Sequence, residues 1–201
     1  IWGISATIGN LELAADVLLG STSSPKNKRA LIKADVKKDI RAHTILPDDI
    51  QQLPWAGHIG VHLLPKVLPV ITNNNSTLIF TNTRSQAEIW FQNLLDAQPE
   101  LAGQIALHHG SLDNSIRNWV EASLHDGTLK AVVCTSSLDL GVDFSPVDTV
   151  IQIGSPKGIA RFLQRAGRSG HQPGAVSTIY FVPTHALEII EGAALKTAKE
   201  R

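Results

Sequence analysis

Cysteine is almost missing from this sequence: Cys134 is the only one in 201 residues. A single thiol closes no internal disulfide, and its place in an apolar run suits a reducing, cytoplasmic setting. Methionine is missing altogether, an absence with no functional reading. Net charge is missing too, with 18 basic side chains against 18 acidic ones. That balance argues against unspecific polyanion binding over the whole surface but leaves room for a local basic stripe. No apolar run is long enough to make a membrane-spanning helix, so no membrane partner is expected. Two nucleotide signatures are also lacking, a G-x-x-x-x-G-K-[ST] loop and a D-E-x-H tetrad. The chain therefore carries no phosphate-cradling loop and no acidic Mg²⁺ motif of its own.

What is present is a chain with enough apolar residues, 43%, to bury a real core. Residues 10–20 have the spacing of a short amphipathic helix, with Leu11, Leu13, Ala14, Val17 and Leu18 on one face. Gly20 ends it, and residues 21–28 form a polar connector. Residues 29–36 look strand-like, residues 37–57 a loop, and residues 58–71 a helix interrupted by Pro65 and Pro69. From there strand and helix alternate. Strands are expected at 77–80, 104–108, 130–135, 149–153 and 176–182. Helices are expected at 85–97, at 113–124 with Asp113 as N-cap, and at 186–199. Such alternation predicts an α/β fold in three layers, a mostly parallel central sheet with helices on both faces. Ligands of such sheets bind at the carboxyl ends of the strands, where the polar clusters of this chain fall.

Four of those clusters invite a chemical reading. Thr81-Asn82-Thr83-Arg84-Ser85 follows a strand and opens a helix, a place where free N–H groups, hydroxyls and an arginine bind an anion; plain capping by Thr83 or Ser85 is the alternative. His108-His109-Gly110-Ser111 places two histidines in succession, but neighbouring strand residues point to opposite faces, and the spacing fits no zinc pattern, so no metal site is expected. Thr135-Ser136-Ser137 offers hydroxyls to a nucleic-acid phosphate. Further on, Gly141 permits a close backbone approach and Asp143 can accept from a ribose hydroxyl; here the alternative is capping of a helix and a turn. Finally, Arg168 stands between Gly167 and Gly170. An arginine there presents a flat, permanently charged donor fork suited to phosphate oxygens. Its neighbour Arg165 is read as a solvent or acidic-residue contact. Among the tryptophans, Trp90 and Trp119 sit at spacings that suit the core, whereas Trp55 suits a surface role such as base stacking.

Taken in order, these clusters resemble the second motor domain of a superfamily 2 helicase. The closest likeness is to the Lhr-like DEXH helicases, in the ligase-associated branch. The phrases that carry it are Trp55-Ala56-Gly57-His58, Phe80-Thr81-Asn82-Thr83-Arg84-Ser85-Gln86-Ala87-Glu88, Val133 to Phe144, and Gln164-Arg165-Ala166-Gly167-Arg168-Ser169-Gly170-His171. The resemblance implies a RecA-like fold and an ATP-dependent translocase on single-stranded nucleic acid, DNA favoured, in DNA repair. It implies that Arg168 acts as an arginine finger with Gln164 and His171 beside it, and that Gly141, Asp143 and Arg168 face ATP. Thr83, Arg84, His109, Gly110, Ser111, Thr135 and Ser136 would line the strand path, and Ser5 and Thr7 would couple two domains. His171 stands where many relatives have a second arginine; a neutral imidazole can still donate a hydrogen bond there. Three segments are expected: residues 1–20 as the end of a first RecA-like domain, 21–185 as the second, and 186–201 as a helix leading onward. The missing first domain would be the partner that holds most of the Mg²⁺ and completes the ATP site, so the chain alone is expected to be inactive. An RNA helicase of the same superfamily and a non-catalytic RecA-like binding module are the alternatives.

Overall fold

The computed structural model describes residues 3, 8, 10–20, 30–32, 39–49, 53, 59–139, 147–170 and 176–199. The chain divides into two compact units, Ile1–Lys37 and Lys38–Arg201. The first contains helix α1 (Leu11–Leu19), capped by Asn10, whose side chain accepts from the Leu13 N–H. The expected apolar spacing is there, but Leu13, Val17 and Leu18 are exposed.

The second unit holds one sheet of six strands: β1 (Ile40–Thr44), β2 (Thr77–Phe80), β3 (Ile105–His108), β4 (Ala131–Cys134), β5 (Thr149–Ile153) and β6 (Ser177–Val182). Their order across the sheet is β1-β6-β5-β2-β4-β3, and every pairing is parallel. The central strands β2, β4 and β5 are buried on both faces, which is why they are unbroken apolar runs. Helices α4 (Asn114–His125) and α5 (Ile159–Ala166) cover one face, where Val120, Leu124 and Phe162 meet Leu78, Val132 and Val150. Helices α2 (Leu64–Thr72) and α3 (Arg84–Ala97) cover the other, where Val67, Trp90 and Leu94 meet Ile79, Val133 and Ile151. Helix α6 (Leu187–Lys199) packs by Gly192 against Phe181, where a Cβ would come within 2.8 Å of the ring. The three-layer α/β expectation holds.

Four readings of the sequence need correction. Of the strand expected at 29–36 only residues 30–32 are described, and they carry no strand, whereas β1 lies inside the stretch read as a loop. The helix expected over 58–71 is a 3₁₀ turn at Val61–Leu63 followed by α2, with Pro65 in the first turn, where its missing N–H costs nothing. Helix α5 was not foreseen. Trp119 is not core but 56% exposed, because α4 buries Val120, Ser123 and Leu124 instead. Trp90 is fully buried as expected, with its Nε1–H donating to the Ile59 carbonyl at 2.8 Å.

Candidate nucleotide and strand-binding surface

The loops after β2, β3 and β4 adjoin because those strands are neighbours in the sheet. Thr83 is the N-cap of α3, its hydroxyl accepting from the Gln86 N–H at 3.1 Å. Thr81, fully buried, turns its hydroxyl to the carbonyls of Thr83 and Cys134. Arg84, the first residue of α3, donates through Nη1 to the hydroxyl of Ser111. That bond joins two of the sequence-predicted clusters across the ends of β2 and β3. Gly110 beside it is open, with no atom within 4 Å of where a Cβ would be. Asp113 caps α4 as expected by accepting from the Ser115 N–H and hydroxyl; those bonds hold its carboxyl below the ordinary carboxylate range.

The two histidines do different things. His108 is buried, its Nδ1 is 2.7 Å from the Ser137 hydroxyl, and its Nε2 is 3.0 Å from Glu121. Burial pushes its pKa below the ordinary value, against the opposing pull of Glu121. The Glu121 carboxylate can only accept, so Nε2 donates to it, while the Ser137 hydroxyl beside Nδ1 donates to the His108 carbonyl at 2.9 Å. His109 is buried too, with Nε2 3.4 Å from the Glu88 carboxylate. Its side chain is turned into the fold, 4% exposed. Among the described residues no group of three or more His, Cys, Asp or Glu side chains is placed to hold a metal. Burial also raises the Cys134 thiol far above its ordinary value, so it is no nucleophile at neutral pH.

After β4, Thr135 leads into a 3₁₀ turn, Ser136–Leu138. Ser136 is exposed, Ser137 is tied to His108, and Asp139 follows. Asp139 gathers much of α5. Its carboxylate takes Arg165 by two prongs, Nε at 2.7 Å and Nη2 at 3.1 Å, with Arg161 Nε at 3.6 Å. Its carbonyl accepts from Arg168 Nη2 at 2.5 Å and Gln164 Nε2 at 3.2 Å. Arg165 also donates to Gln152 Oε1 at 2.6 Å and lies 4.5 Å from the centre of the Phe80 ring. Of the two readings of Arg165, the acidic-residue contact is the one realised. Gly167 continues the helical turn, whereas Gly170 has φ +62°, and a Cβ there would sit 2.7 Å from the Val176 carbonyl oxygen. That second glycine is required by the backbone itself.

Two arginines, Arg165 and Arg161, thus meet the Asp139 carboxylate, while Arg168 donates to the carbonyl of the same residue. Arg168 and Gln164 come together, as do Arg84 and Ser111. Gly141, Asp143, His171, Ser5 and Thr7, with Trp55, lie outside the described residues. Asp139, Gln152 and Phe80 were not singled out from sequence. The spacing of Arg161, Arg165 and Arg168 marks one face of a helix in need of an acid but does not say which residue supplies it.

Residues 60–172 match the helicase conserved C-terminal domain family. ATP-dependent helicase Lhr-Core of Methanothermobacter thermautotrophicus is 38% identical over 172 residues, covering 85% of this chain and 20% of that protein. Lhr helicase/uracil glycosylase of Escherichia coli is 33% identical over 168 residues, covering 69% and 11%. Among solved structures, Mycobacterium smegmatis helicase Lhr bound to ssDNA and AMP-PNP superposes with TM-score 0.71 at 33% identity, covering 82% of this chain and 22% of that one. The C-terminal domain of the DEAD-box protein Dbp5 has TM-score 0.57 at 19% identity, over 83% and 87%, a likeness of fold. The chain spans about a fifth of the length of the first of these relatives and less of the second. It belongs to the helicase conserved C-terminal domain family and, within it, is Lhr-like.

Proposed function

We propose that this chain is the second motor domain of an ATP-dependent translocase on single-stranded DNA, serving DNA repair. Arg168 is its arginine finger, and Gln164 and His171 stand beside it. ATP supplies the γ-phosphate on which negative charge grows during transfer, and a guanidinium is the side chain best suited to that charge. Gly141 and Asp143 face the nucleotide. Thr83, Arg84, Gly110, Ser111, Thr135 and Ser136, with the backbone of His109, hold the phosphates of the strand. Such contacts carry no base information, so little sequence preference is expected. Ser5 and Thr7 couple this domain to a first RecA-like domain, which brings the phosphate loop and most of the Mg²⁺ ligands.

The observation that carries this reading is the gathering of Gln164 and Arg168 at residue 139, three residues beyond the exposed Ser136 at the end of β4. One short segment thereby touches both candidate sites.

The test is ATP hydrolysis stimulated by single-stranded DNA. The chain alone should be silent, and the protein with its first domain restored should be active. In that complete protein Arg168→Ala should remove most hydrolysis and leave strand binding largely intact. Full activity of Arg168→Ala would sink the finger assignment. Equal stimulation by a matched RNA strand would replace DNA by RNA in the reading.

A further inference from the structure

We propose that Lys157, in the loop after β5, is a further phosphate contact of the bound strand, carrying the strand path one loop beyond those of β2, β3 and β4. The inference rests on the reading of that path given above.

Its starting point is a backbone in an unusual state. Lys157 has φ +57° and, among the described residues, is the one non-glycine with a positive φ. A Cβ is crowded by the backbone in that region, so glycine is the usual occupant. Such strain persists only where the surroundings impose it, and it gathers at ligand sites. Here the surroundings do impose it. Gly154, with φ +72°, turns the chain out of β5, and Gly158, with φ +128°, leads it into α5. Between them Pro156 is buried, and Ser155 is tied twice to α6. The Ser155 N–H donates to Glu188 Oε1 at 2.7 Å, and its hydroxyl donates to Glu191 Oε1 at 2.5 Å. The same hydroxyl accepts from the Lys157 N–H at 3.1 Å. Glu188 is buried, and its other oxygen takes the N–H and hydroxyl of Thr184. Two carboxylates of α6 thus fix the loop, and the lysine is what the loop holds out.

The Lys157 side chain contributes nothing visible to the fold. It is exposed, and no described group takes its ammonium, Glu188 and Glu191 included. A glycine would make this turn without strain, so what a lysine adds here is its charge. Its place gives that charge a use. β5 lies beside β2 in the sheet, so its loop adjoins the one that carries Thr83 and Arg84. The two loops touch: a Cβ at Gly154 would come within 3.1 Å of Asn82 Nδ2. The carboxyl ends of β5, β2, β4 and β3 follow one another in that order, and an unneutralised cation stands at the β5 end of the row. A strand laid along the row brings a phosphate to it. A lysine is a compact point charge on a flexible stem, suited to a phosphate and blind to the base beyond it.

The experiment uses the complete protein and a fluorescent single strand of DNA. Affinity is measured against salt concentration for Lys157→Gln, Lys157→Gly and Arg84→Ala, and the urea midpoint is read for each. Both Lys157 variants should lower the slope of log affinity against log salt by about one, uniformly across sequences. Lys157→Gly should keep the wild-type urea midpoint or exceed it, because glycine adopts this φ without strain. Weaker strand binding in a protein that folds at least as well is an outcome that a merely structural lysine would not give. An unchanged slope in both Lys157 variants, with a lowered one in Arg84→Ala, overturns the proposal and ends the path at the loop of β2. An unchanged slope in all three means that the strand path itself is misread, and this inference fails with it. A urea midpoint that falls in Lys157→Gly along with the slope would mark the residue as part of the fold and overturn the proposal as well.

Discussion

The surface at the strand ends has two halves built on opposite principles. At the ends of β2 and β3 the contacts are exposed and made mostly of hydroxyls and backbone: the Thr83 cap, the open Gly110 and the single bond from Arg84 to Ser111. Beside α5 the contacts are charged and dry, with Arg165 enclosed by Asp139, Gln152 and Phe80. Exposed polar contacts contribute little to stability and are easily exchanged for others, whereas a buried charge tolerates no loss of its partner. Under the proposed function, the first half is suited to being remade when a strand arrives. The second is suited to staying as it is, and its fixity gives the remaking something to push against.

The largest effect that would break this contrast is on the α5 side. Arg165→Met strands the Asp139 carboxylate in the interior, and the expected cost is about 3–5 kcal/mol of folding stability. Urea unfolding of the chain checks it. Adding Asp139→Leu should restore most of that loss, because the cost lies in the orphaned charge rather than in the missing pair. A single variant as stable as the wild type would mean that water reaches the pair and the half is not dry.

The same contrast explains what the sequence makes legible. The ends of β2, β3 and β4 could be read because the central strands are unbroken apolar runs and the polar residues after them fall at the edge of a parallel sheet by construction. The edge strand β1 could not. Its alternation, Ile40-Arg41-Ala42-His43-Thr44, places polar residues on a half-exposed edge and looks like a loop. Helix α5 hid between glycines, with only Ile159, Phe162 and Ala166 to mark its apolar face. Asp139 was invisible for a different reason. Its burial depends on Arg165, 26 residues away, and no local pattern reports such a distance. Trp119 misled because a shift of one residue on a helix turns a side chain by about 100°, from the face of Val120 to solvent.

A smaller effect comes from His108, which joins the two halves. Burial lowers its pKa below the ordinary 6.5, so between the two values the unfolded chain binds more protons than the folded one. Stability therefore rises with pH through that window and is lost as pH falls below about 6.5. Burial sets the sign; of the neighbouring groups, Glu121 opposes the shift, while Arg117 adds to it. Urea midpoints measured between about pH 7.5 and about pH 5.5 should fall, and the fall should shrink in His108→Gln. An unchanged slope in that variant would assign the acid sensitivity elsewhere.

On the strand side, Thr83→Ala removes the hydroxyl that caps α3 and is expected to cost about 1 kcal/mol. The unfolding midpoint of the chain reads it directly. Because the cap is exposed, Thr83→Ser should recover nearly all of it, and a Thr83→Ala variant that loses several times more would show this half to be as rigid as the other.

The smallest expected change in stability is at Arg84, and it is the most informative about the comparison. Arg84 is exposed and its bond to Ser111 lies at the surface, so Arg84→Ala should alter folding stability by no more than about 0.5 kcal/mol. If Arg84 holds a phosphate, the same substitution should weaken strand binding uniformly across sequences and lower the slope of log affinity against log salt by about one in the complete protein. Arg165→Met should do the reverse: a large loss of stability, with no change in that slope, because its charge is spent inside the fold. The two slopes measured side by side therefore decide whether the halves divide the work as described. A lowered slope in Arg165→Met, or an unaltered one in Arg84→Ala, would mean that the strand runs over α5 and that the dry side is the one it touches.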